Sequence, residues 1–121
     1  MNSYIIFSNR DQLYRINSSS ILYFCADGNC TDIFLTSGQK ITVTFSLVKM
    51  KNYLSEKLGV NALKFLRIGK KHIVNVSFIY KIDVLKQHLI LLYENDGLKQ
   101  HKLNNVSKEA LKSLKDSIGK L

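Results

Sequence analysis

The chain has 121 residues and a formal net charge of +9 at pH 7, with 45% hydrophobic and 22% charged residues. This length suits one domain, and the composition is that of a chain that buries a core rather than of a disordered one. The uncharged run Ile73–Tyr80 is too short and too polar to span a bilayer, and no signal-peptide pattern opens the chain. We therefore expect one small basic domain over residues 1–121, located in the cytoplasm, with an N-terminal β-hairpin in residues 1–20.

Most of the chain has the pattern of short antiparallel strands. Runs of β-branched and aromatic residues alternate with polar residues and are separated by turn-forming residues such as Asp27-Gly28, Ser37-Gly38 and Asn95-Asp96-Gly97. In chain order, the predicted strands are Tyr4–Phe7, Leu13–Ile16, Ile21–Cys25, Thr31–Leu35, Lys40–Thr44, Phe65–Ile68, Ile73–Asn75, Tyr80–Leu85, Leu89–Tyr93 and Leu98–Leu103.

Two segments change to the 3.6-residue period of an amphipathic helix. The first follows Ser46, a typical N-cap residue, and ends at Gly59, while the second follows Ser107 and closes the chain. The apolar stripes are expected to pack in the core rather than to bind a ligand. Their members are Leu47, Met50, Leu54 and Leu58 in the first helix, and Leu111, Leu114 and Ile118 in the second.

The excess positive charge is concentrated in two parts of the chain. Residues 40–81 contain nine basic residues and one acidic residue, and residues 99–121 contain six lysines and two acidic residues, so their net charges are +8 and +4. Such a field suits a polyanionic partner such as nucleic acid. A lysine-rich solubilising surface would show the same excess, and charge alone does not decide between the two.

No motif for catalysis or for metal binding stands out. The sequence contains no G-x-S-x-G, no Walker glycine loop and no G-x-G-x-x-G, and its three histidines are scattered singly. Cys25 and Cys30 are too few for a zinc site, although a hairpin through residues 26–29 would bring the two thiols near each other. We therefore expect no enzyme activity, no metal and no cofactor.

Three segments carry residue types that suit contacts with DNA. The run Arg67–His72 places four groups that are or can become cationic around one glycine, where lysine donors would meet a nearby phosphate. The pair Asn104-Asn105 precedes the last helix, and an asparagine amide bonds adenine at two atoms. The hairpin tip Asp27–Thr31 is small and polar enough to enter a groove. The plainer interpretation of the last two segments is ordinary turn chemistry.

Four motifs in order resemble those of the LytTR DNA-binding domain family. Residues 21–31, ILYFCADGNCT, are similar to I-x-Y-x-E-A-x-x-N-Y-T, and residues 65–76, FLRIGKKHIVNV, are similar to F-x-R-I-H-R-S-Y-I-V-N. Residues 42–47, TVTFSL, resemble the family's T-x-x-S-L segment before its helix, and residues 106–108, VSK, resemble its V-S-R. The likeness covers roughly residues 5–118, and ordered motifs at matching separations are far more specific than any one of them.

The resemblance implies a mainly β fold with two helices: antiparallel sheets, one intervening helix and a C-terminal helix. It also implies a transcription regulator that reads double-stranded DNA with inter-strand loops placed in successive major grooves. Carried over residue by residue, the candidates for contacts with bases are Asn29, Cys30 and Asn104. The candidates for contacts with phosphates are Thr31, Arg67, Lys70, Lys71, Lys102, Asn105 and Lys108.

The chain departs from the family's pattern at several of these positions. Gly69 stands where the family has His, Cys25 where Glu is common, and Cys30 where an aromatic or basic residue often occurs. Asn104 stands where the family often has Arg, which shifts the expected preference from guanine toward adenine. The DNA preference of relatives therefore does not carry over.

The resemblance also suggests partners. The family's usual DNA sites are tandem direct repeats, and its usual partner is an upstream receiver domain, for which the segment before Ile21 is too short. We expect a stand-alone regulator rather than a fragment, with a homodimer on DNA and a sensor or receiver protein as further partners, and no membrane contact. The alternative is a protein-interaction or inhibitory module that pairs with a LytTR regulator. Binding of single-stranded RNA or DNA is less well supported, because the aromatic residues fall mostly at alternating, core-like positions.

Overall fold

Ten strands and two helices form the fold in the computed structural model, which describes residues 3–120. Short 3-10 turns at residues 18–20, 59–64 and 76–78 connect some of these elements. In chain order the elements are β1 (Tyr4–Ser8), β2 (Leu13–Asn17), β3 (Ile21–Asp27), β4 (Cys30–Leu35), β5 (Lys40–Val43), α1 (Leu47–Leu58), β6 (Phe65–Ile68), β7 (His72–Asn75), β8 (Ile79–Asp83), β9 (His88–Glu94), β10 (Leu98–Leu103) and α2 (Lys108–Gly119).

The strands form three antiparallel sheets. A five-stranded sheet in the order β5-β4-β3-β7-β6 lies at the centre, between a two-stranded sheet of β1 and β2 and a three-stranded sheet in the order β10-β9-β8. One face of the central sheet packs against α1 and the β1–β2 hairpin, and the other face packs against the three-stranded sheet and α2. The protein therefore has an apolar layer on each side of the central sheet.

The central strand β3 contributes to both layers because a bulge interrupts its alternation. The register with β4 shifts between Ile21 and Tyr23. Leu22 and Tyr23 consequently face the layer of α2 together, whereas Ile21 and Phe24 face the layer of α1. All four side chains are buried, as expected for a strand that is covered on both faces.

Both helices begin at the serines that the sequence indicates. The Ser46 hydroxyl accepts a hydrogen bond from the Lys49 N–H at 3.3 Å, and the Ser107 hydroxyl accepts one from the Ala110 N–H at 3.1 Å. The predicted apolar stripes are buried, except that Ile118 in the last turn of α2 is half-buried. The fold class predicted from the sequence is confirmed.

Strand β8 differs from its prediction. The apolar run predicted Tyr80–Leu85, but the strand ends at Asp83, whose Oδ1 accepts the Lys86 N–H at 2.9 Å. This bond and a second one, from the Gln87 N–H to the Val84 carbonyl at 3.2 Å, close a turn over residues 84–87. No helix within residues 3–120 is long and apolar enough to cross a membrane.

Candidate nucleic-acid interface

The β3–β4 and β6–β7 turns lie side by side at one end of the central sheet. β3 and β7 pair with Cys25 opposite His72, and the next residue, Ala26, donates its N–H to the Lys71 carbonyl at 2.7 Å. The turn at residues 28–29 is therefore adjacent to the turn at residues 69–71. Each turn contains a glycine with positive φ, +60° at Gly28 and +64° at Gly69, a conformation that glycine adopts without steric cost.

Arg67 braces the β6–β7 turn. Its Nε donates to the Gly69 carbonyl at 3.3 Å, and its Nη2 donates to the Lys70 carbonyl at 3.4 Å. The planar guanidinium therefore holds two carbonyls of the turn at once, which a lysine ammonium at the end of a flexible chain would not do. Arg67, Lys70 and Lys71 are all exposed, so the turn presents three cationic side chains to solvent.

The start of α2 lies against the same turn. A Cβ built on Gly69 would be 3.9 Å from the Cβ of Ala110, in the first turn of the helix. Residues 104–106, which form the third predicted contact loop, lead directly into that helix turn. Within this loop Asn105 has a φ of +58°, a left-handed conformation that asparagine tolerates better than most residues. Both Asn104 and Asn105 are exposed.

A fourth turn holds this loop in place. The Val106 N–H donates to the Gln87 carbonyl at 3.1 Å, and the Gln87 side-chain amide donates back to the Val106 carbonyl at 3.4 Å. The β8–β9 turn over residues 84–87 therefore runs alongside the loop over residues 104–106. Neither charge nor motif points to this turn in the sequence, since residues 82–98 carry a net charge of −2. Its exposed lysine, Lys86, is the one local signal that could have indicated it.

Most of the residues predicted to contact DNA are accessible. Cys30 is half-buried at the start of β4, directly after the exposed Asn29. The exposed predicted residues are Asn29, Arg67, Lys70, Lys71, Lys102, Asn104, Asn105 and Lys108. The Ala26–Lys71 bond joins the β3–β4 and β6–β7 turns, and Gly69 lies beside the first turn of α2, which residues 104–106 precede. The fold therefore brings together segments that are about 40 residues apart in sequence.

Thr31 is the exception among the predicted contact residues. Its side chain is fully buried, at 0% exposure, and its hydroxyl donates to the Phe45 carbonyl at 2.8 Å. A phosphate contact would require an accessible hydroxyl, so the expectation for this residue does not fit the structure. Thr31 instead ties β4 to the segment that precedes α1.

Four lysines at this end make no close ion pair with an acid in the described residues. Within residues 3–120, no carboxylate oxygen lies within 4.0 Å of the side-chain nitrogen of Lys70, Lys71, Lys102 or Lys108. Their charge is therefore available to an anion that approaches from solvent.

A cluster of aromatic and histidine side chains lies behind the turns and links two sheets. The Tyr23 hydroxyl and His101 Nε2 are 3.0 Å apart, and the two rings stack with their centroids 5.1 Å apart. Burial raises the pKa of Tyr23 to about 12. Burial also lowers the pKa values of His72 and His101, and the nearby Lys71 charge lowers that of His72 further. His72 therefore adds no charge at neutral pH, although the sequence grouped it with the cations of its loop.

The two cysteines are free and lie diagonally across the β3–β4 hairpin. The register places Cys25 opposite Asp32 and Cys30 opposite Asp27, so the thiols do not face each other directly. Burial raises the pKa of the Cys25 thiol despite the opposing effect of Lys71. Cys25 is thus protonated at neutral pH, which makes it a poor nucleophile.

Comparison with known proteins identifies the class of protein to which this interface belongs. The family model of the LytTr DNA-binding domain matches residues 11–119. This chain belongs to the LytTr DNA-binding domain family. The family is a DNA-binding domain family, so membership supports the role of a DNA-binding regulator.

A solved structure supports the same fold. The chain is similar to the LytTr DNA-binding domain of a Bacillus cereus protein described as a methyl-accepting/DNA response regulator, with a TM-score of 0.64 and 20% sequence identity. The match covers 98% of this chain and 99% of the other. None of the curated proteins matches this chain.

Proposed function

We propose that this chain is a transcription regulator that binds specific sequences of double-stranded DNA through the loops at one end of its sheets. The observation that carries the proposal is a row of three segments: residues 28–29 lie beside residues 69–71, and residues 104–106 lead into the helix turn that lies beside Gly69. Within residues 3–120, the exposed lysines of this row make no ion pair with a carboxylate within 4.0 Å. Protruding turns of this kind fit a major groove, which is about 12 Å wide.

In the proposed complex, cationic side chains hold the DNA backbone and short polar side chains read the bases. Asn29 and Asn104 present exposed amides, each of which can donate to and accept from a base edge. Cys30, half-buried beside Asn29, presents a small and weakly polar side chain to a base. The phosphate contacts come from Arg67, Lys70, Lys71, Lys102, Asn105 and Lys108.

The chain is proposed to act on DNA as one unit over residues 1–121. Tandem direct repeats are the proposed target, with one copy on each repeat, and a sensor or receiver protein is the proposed source of the regulatory signal. These features rest on the family resemblance. A footprint that spans two repeats, with two copies of the chain on one DNA fragment, would support them.

The direct test is in-vitro selection of DNA from a random pool by the purified chain, followed by titration of the selected sequence at several salt concentrations. We expect one enriched motif and an affinity that falls steeply with salt, because each phosphate contact releases counterions. Equal affinity for the selected and scrambled sequences would contradict sequence-specific binding. Failure to bind any duplex would contradict the DNA-binding function itself.

A second candidate is an interaction module that pairs with another LytTR regulator, favoured by the exposed outer face of the β1–β2 sheet. Ile6 and Leu13 on this face are 45% and 64% exposed, and the Arg15 guanidinium lies 3.8 Å from the centre of the exposed Tyr4 ring. Recovery of a partner regulator through this face, together with an unenriched DNA selection, would favour this function over the first.

A further inference from the structure

The β8–β9 turn, residues 84–87, lies next to the proposed base-reading loop and has no part in the function proposed above. The pair of hydrogen bonds between Gln87 and Val106 fixes the turn two residues away from Asn104. The backbone of the turn is itself closed by the Gln87–Val84 bond. The position of the turn relative to Asn104 is therefore set by the backbone N–H and carbonyl of Val106 and by the carbonyl and side-chain amide of Gln87.

The tip of this turn combines an exposed lysine with an exposed apolar side chain. Lys86 is exposed, and within residues 3–120 no carboxylate oxygen comes within 4.0 Å of its ammonium. The nearby Asp83 carboxylate is turned inward, with its side chain 19% exposed and its oxygens directed to the Lys86 N–H and toward His88. Leu85 is 80% exposed, so most of its apolar surface stays in water unless a partner covers it.

We propose that the β8–β9 turn is a fourth DNA-contacting segment, in which Lys86 binds a backbone phosphate and Leu85 packs against the neighbouring deoxyribose. The inference rests on the proposed DNA-binding function and deepens it. Because the turn is bonded to the reading loop, the phosphate that Lys86 binds lies beside the base pair that Asn104 contacts. A polar contact to a phosphate and an apolar contact to a sugar both position the protein without reading sequence.

Three single variants test this proposal on the sequence selected by the wild-type chain. Lys86→Ala should make the plot of log affinity against log salt less steep by about 1, because one phosphate contact is lost. The base preference should stay unchanged. Leu85→Ala removes no charge but takes away an isopropyl group. If the sugar covers about a third of that group, the equivalent of one methylene, binding should weaken by about fourfold at every salt concentration. Lys99→Ala is the matched control, because Lys99 is an exposed lysine near the opposite end of β10, opposite Tyr93.

A second measurement locates the contact on the DNA. Replacing single phosphates of the selected site by uncharged methylphosphonates should reveal one position that weakens the wild-type chain but not Lys86→Ala. That position should fall within about two nucleotides of the base whose preference is lost in Asn104→Ala.

The outcomes separate this proposal from the function on which it rests. If Lys86→Ala keeps the wild-type salt slope, as the Lys99→Ala control should, the turn makes no phosphate contact and the proposal is overturned while DNA binding stands. A methylphosphonate-sensitive position far from the Asn104 base would overturn the proposed placement. If the wild-type chain binds no duplex, the DNA-binding function fails, and this inference fails with it.

Discussion

Individual side chains at the proposed interface differ in what they can distinguish. A lysine ammonium attracts every phosphate alike, whereas an asparagine amide bonds one base edge better than another. Lys70 and Asn104 represent the two kinds, and both are exposed on neighbouring segments. Their substitutions should therefore change different measured quantities, not the same quantity by different amounts.

Replacing Lys70 by alanine should weaken binding to all DNA sequences by a similar factor. The salt slope should fall by about 1, because one phosphate contact is lost. Fluorescence titration of the selected and scrambled duplexes at several salt concentrations measures both effects. Lys57→Ala, on α1, is the control, since Lys57 lies 3.9 Å from Glu56 and outside the row of loops. A change of base preference in Lys70→Ala would contradict a purely electrostatic role.

Replacing Asn104 by alanine should relax the preference at one position of the site. The expected loss is about 1–3 kcal/mol of discrimination at that base pair, the usual contribution of a good bidentate contact. Selection with the variant, compared with the wild-type selection, measures the preference at each position. If every position keeps its wild-type preference, Asn104 does not read a base.

At the scale of secondary-structure elements, the contact loops depend on hydrogen bonds from neighbouring residues. Arg67 holds the β6–β7 turn through two of its carbonyls, and Gln87 holds the loop before α2. Thr31 joins β4 to the segment before α1 from a buried position. Substitutions at such residues should act on loop order or on stability rather than on charge.

Arg67→Lys distinguishes the two hydrogen bonds that Arg67 makes to the β6–β7 turn from its positive charge. The substitution keeps the positive charge but loses the planar fork that bonds both carbonyls of the turn. We expect faster amide hydrogen exchange in residues 69–71 and weaker DNA binding, with the salt slope close to that of the wild type. Unchanged exchange in this turn would show that the two bonds do not order it.

Thr31→Val tests whether Thr31 is structural. The valine has nearly the same shape but no hydroxyl, so the bond to the Phe45 carbonyl is lost at a cost of about 1–2 kcal/mol in the free energy of unfolding. Urea denaturation measures this change, and the salt slope of DNA binding should stay as in the wild type. Thr42→Val is the matched control, because the Thr42 hydroxyl bonds the Asp32 carboxylate on the exposed surface, and its loss should cost less.

At the scale of the whole molecule, the Tyr23–His101 contact couples the central sheet to the three-stranded sheet. Burial keeps His72 and His101 neutral, with pKa values below their ordinary value of 6.5. As the pH falls below 6.5, the unfolded chain therefore takes up protons that the folded chain does not. The contribution of these two histidines to the free energy of unfolding should be constant above this pH and should decrease as the pH falls toward the lowered pKa values.

Urea denaturation at pH 7.5 and at pH 5.5 tests this pH dependence, at about one unit on either side of the ordinary histidine value. The wild-type chain should be less stable at the lower pH. The double variant His72→Gln, His101→Gln should lose most of the difference, because glutamine does not titrate. An equal difference in the double variant would assign the effect to other groups.

Local features of the sequence predicted the elements well but the exposure of particular side chains less well. Ser46 and Ser107 were recognisable as helix starts because a cap acts within three residues of itself. The predicted end of β8 is wrong, because the apolar Val84 and Leu85 continue the strand pattern. The Asp83 side chain closes the turn through one hydrogen bond, which the hydrophobic periodicity does not reveal. The sequence names Thr31 as a candidate phosphate contact but gives no sign of its burial, because the bond that holds its hydroxyl is to Phe45, fourteen residues away.

The sequence by itself determined the family, the order of strands and helices, and the two basic segments, because periodicity, turn residues and motifs all act over short stretches of chain. Only the tertiary structure decided that residues 28–29 lie beside residues 69–71, that Gly69 lies beside the first turn of α2, and that the β8–β9 turn lies beside residues 104–106. It also decided that burial lowers the pKa of His72 and that Thr31 is buried. The physical reason is that adjacency and solvation depend on pairing between strands that are distant in sequence, such as β3 with β7.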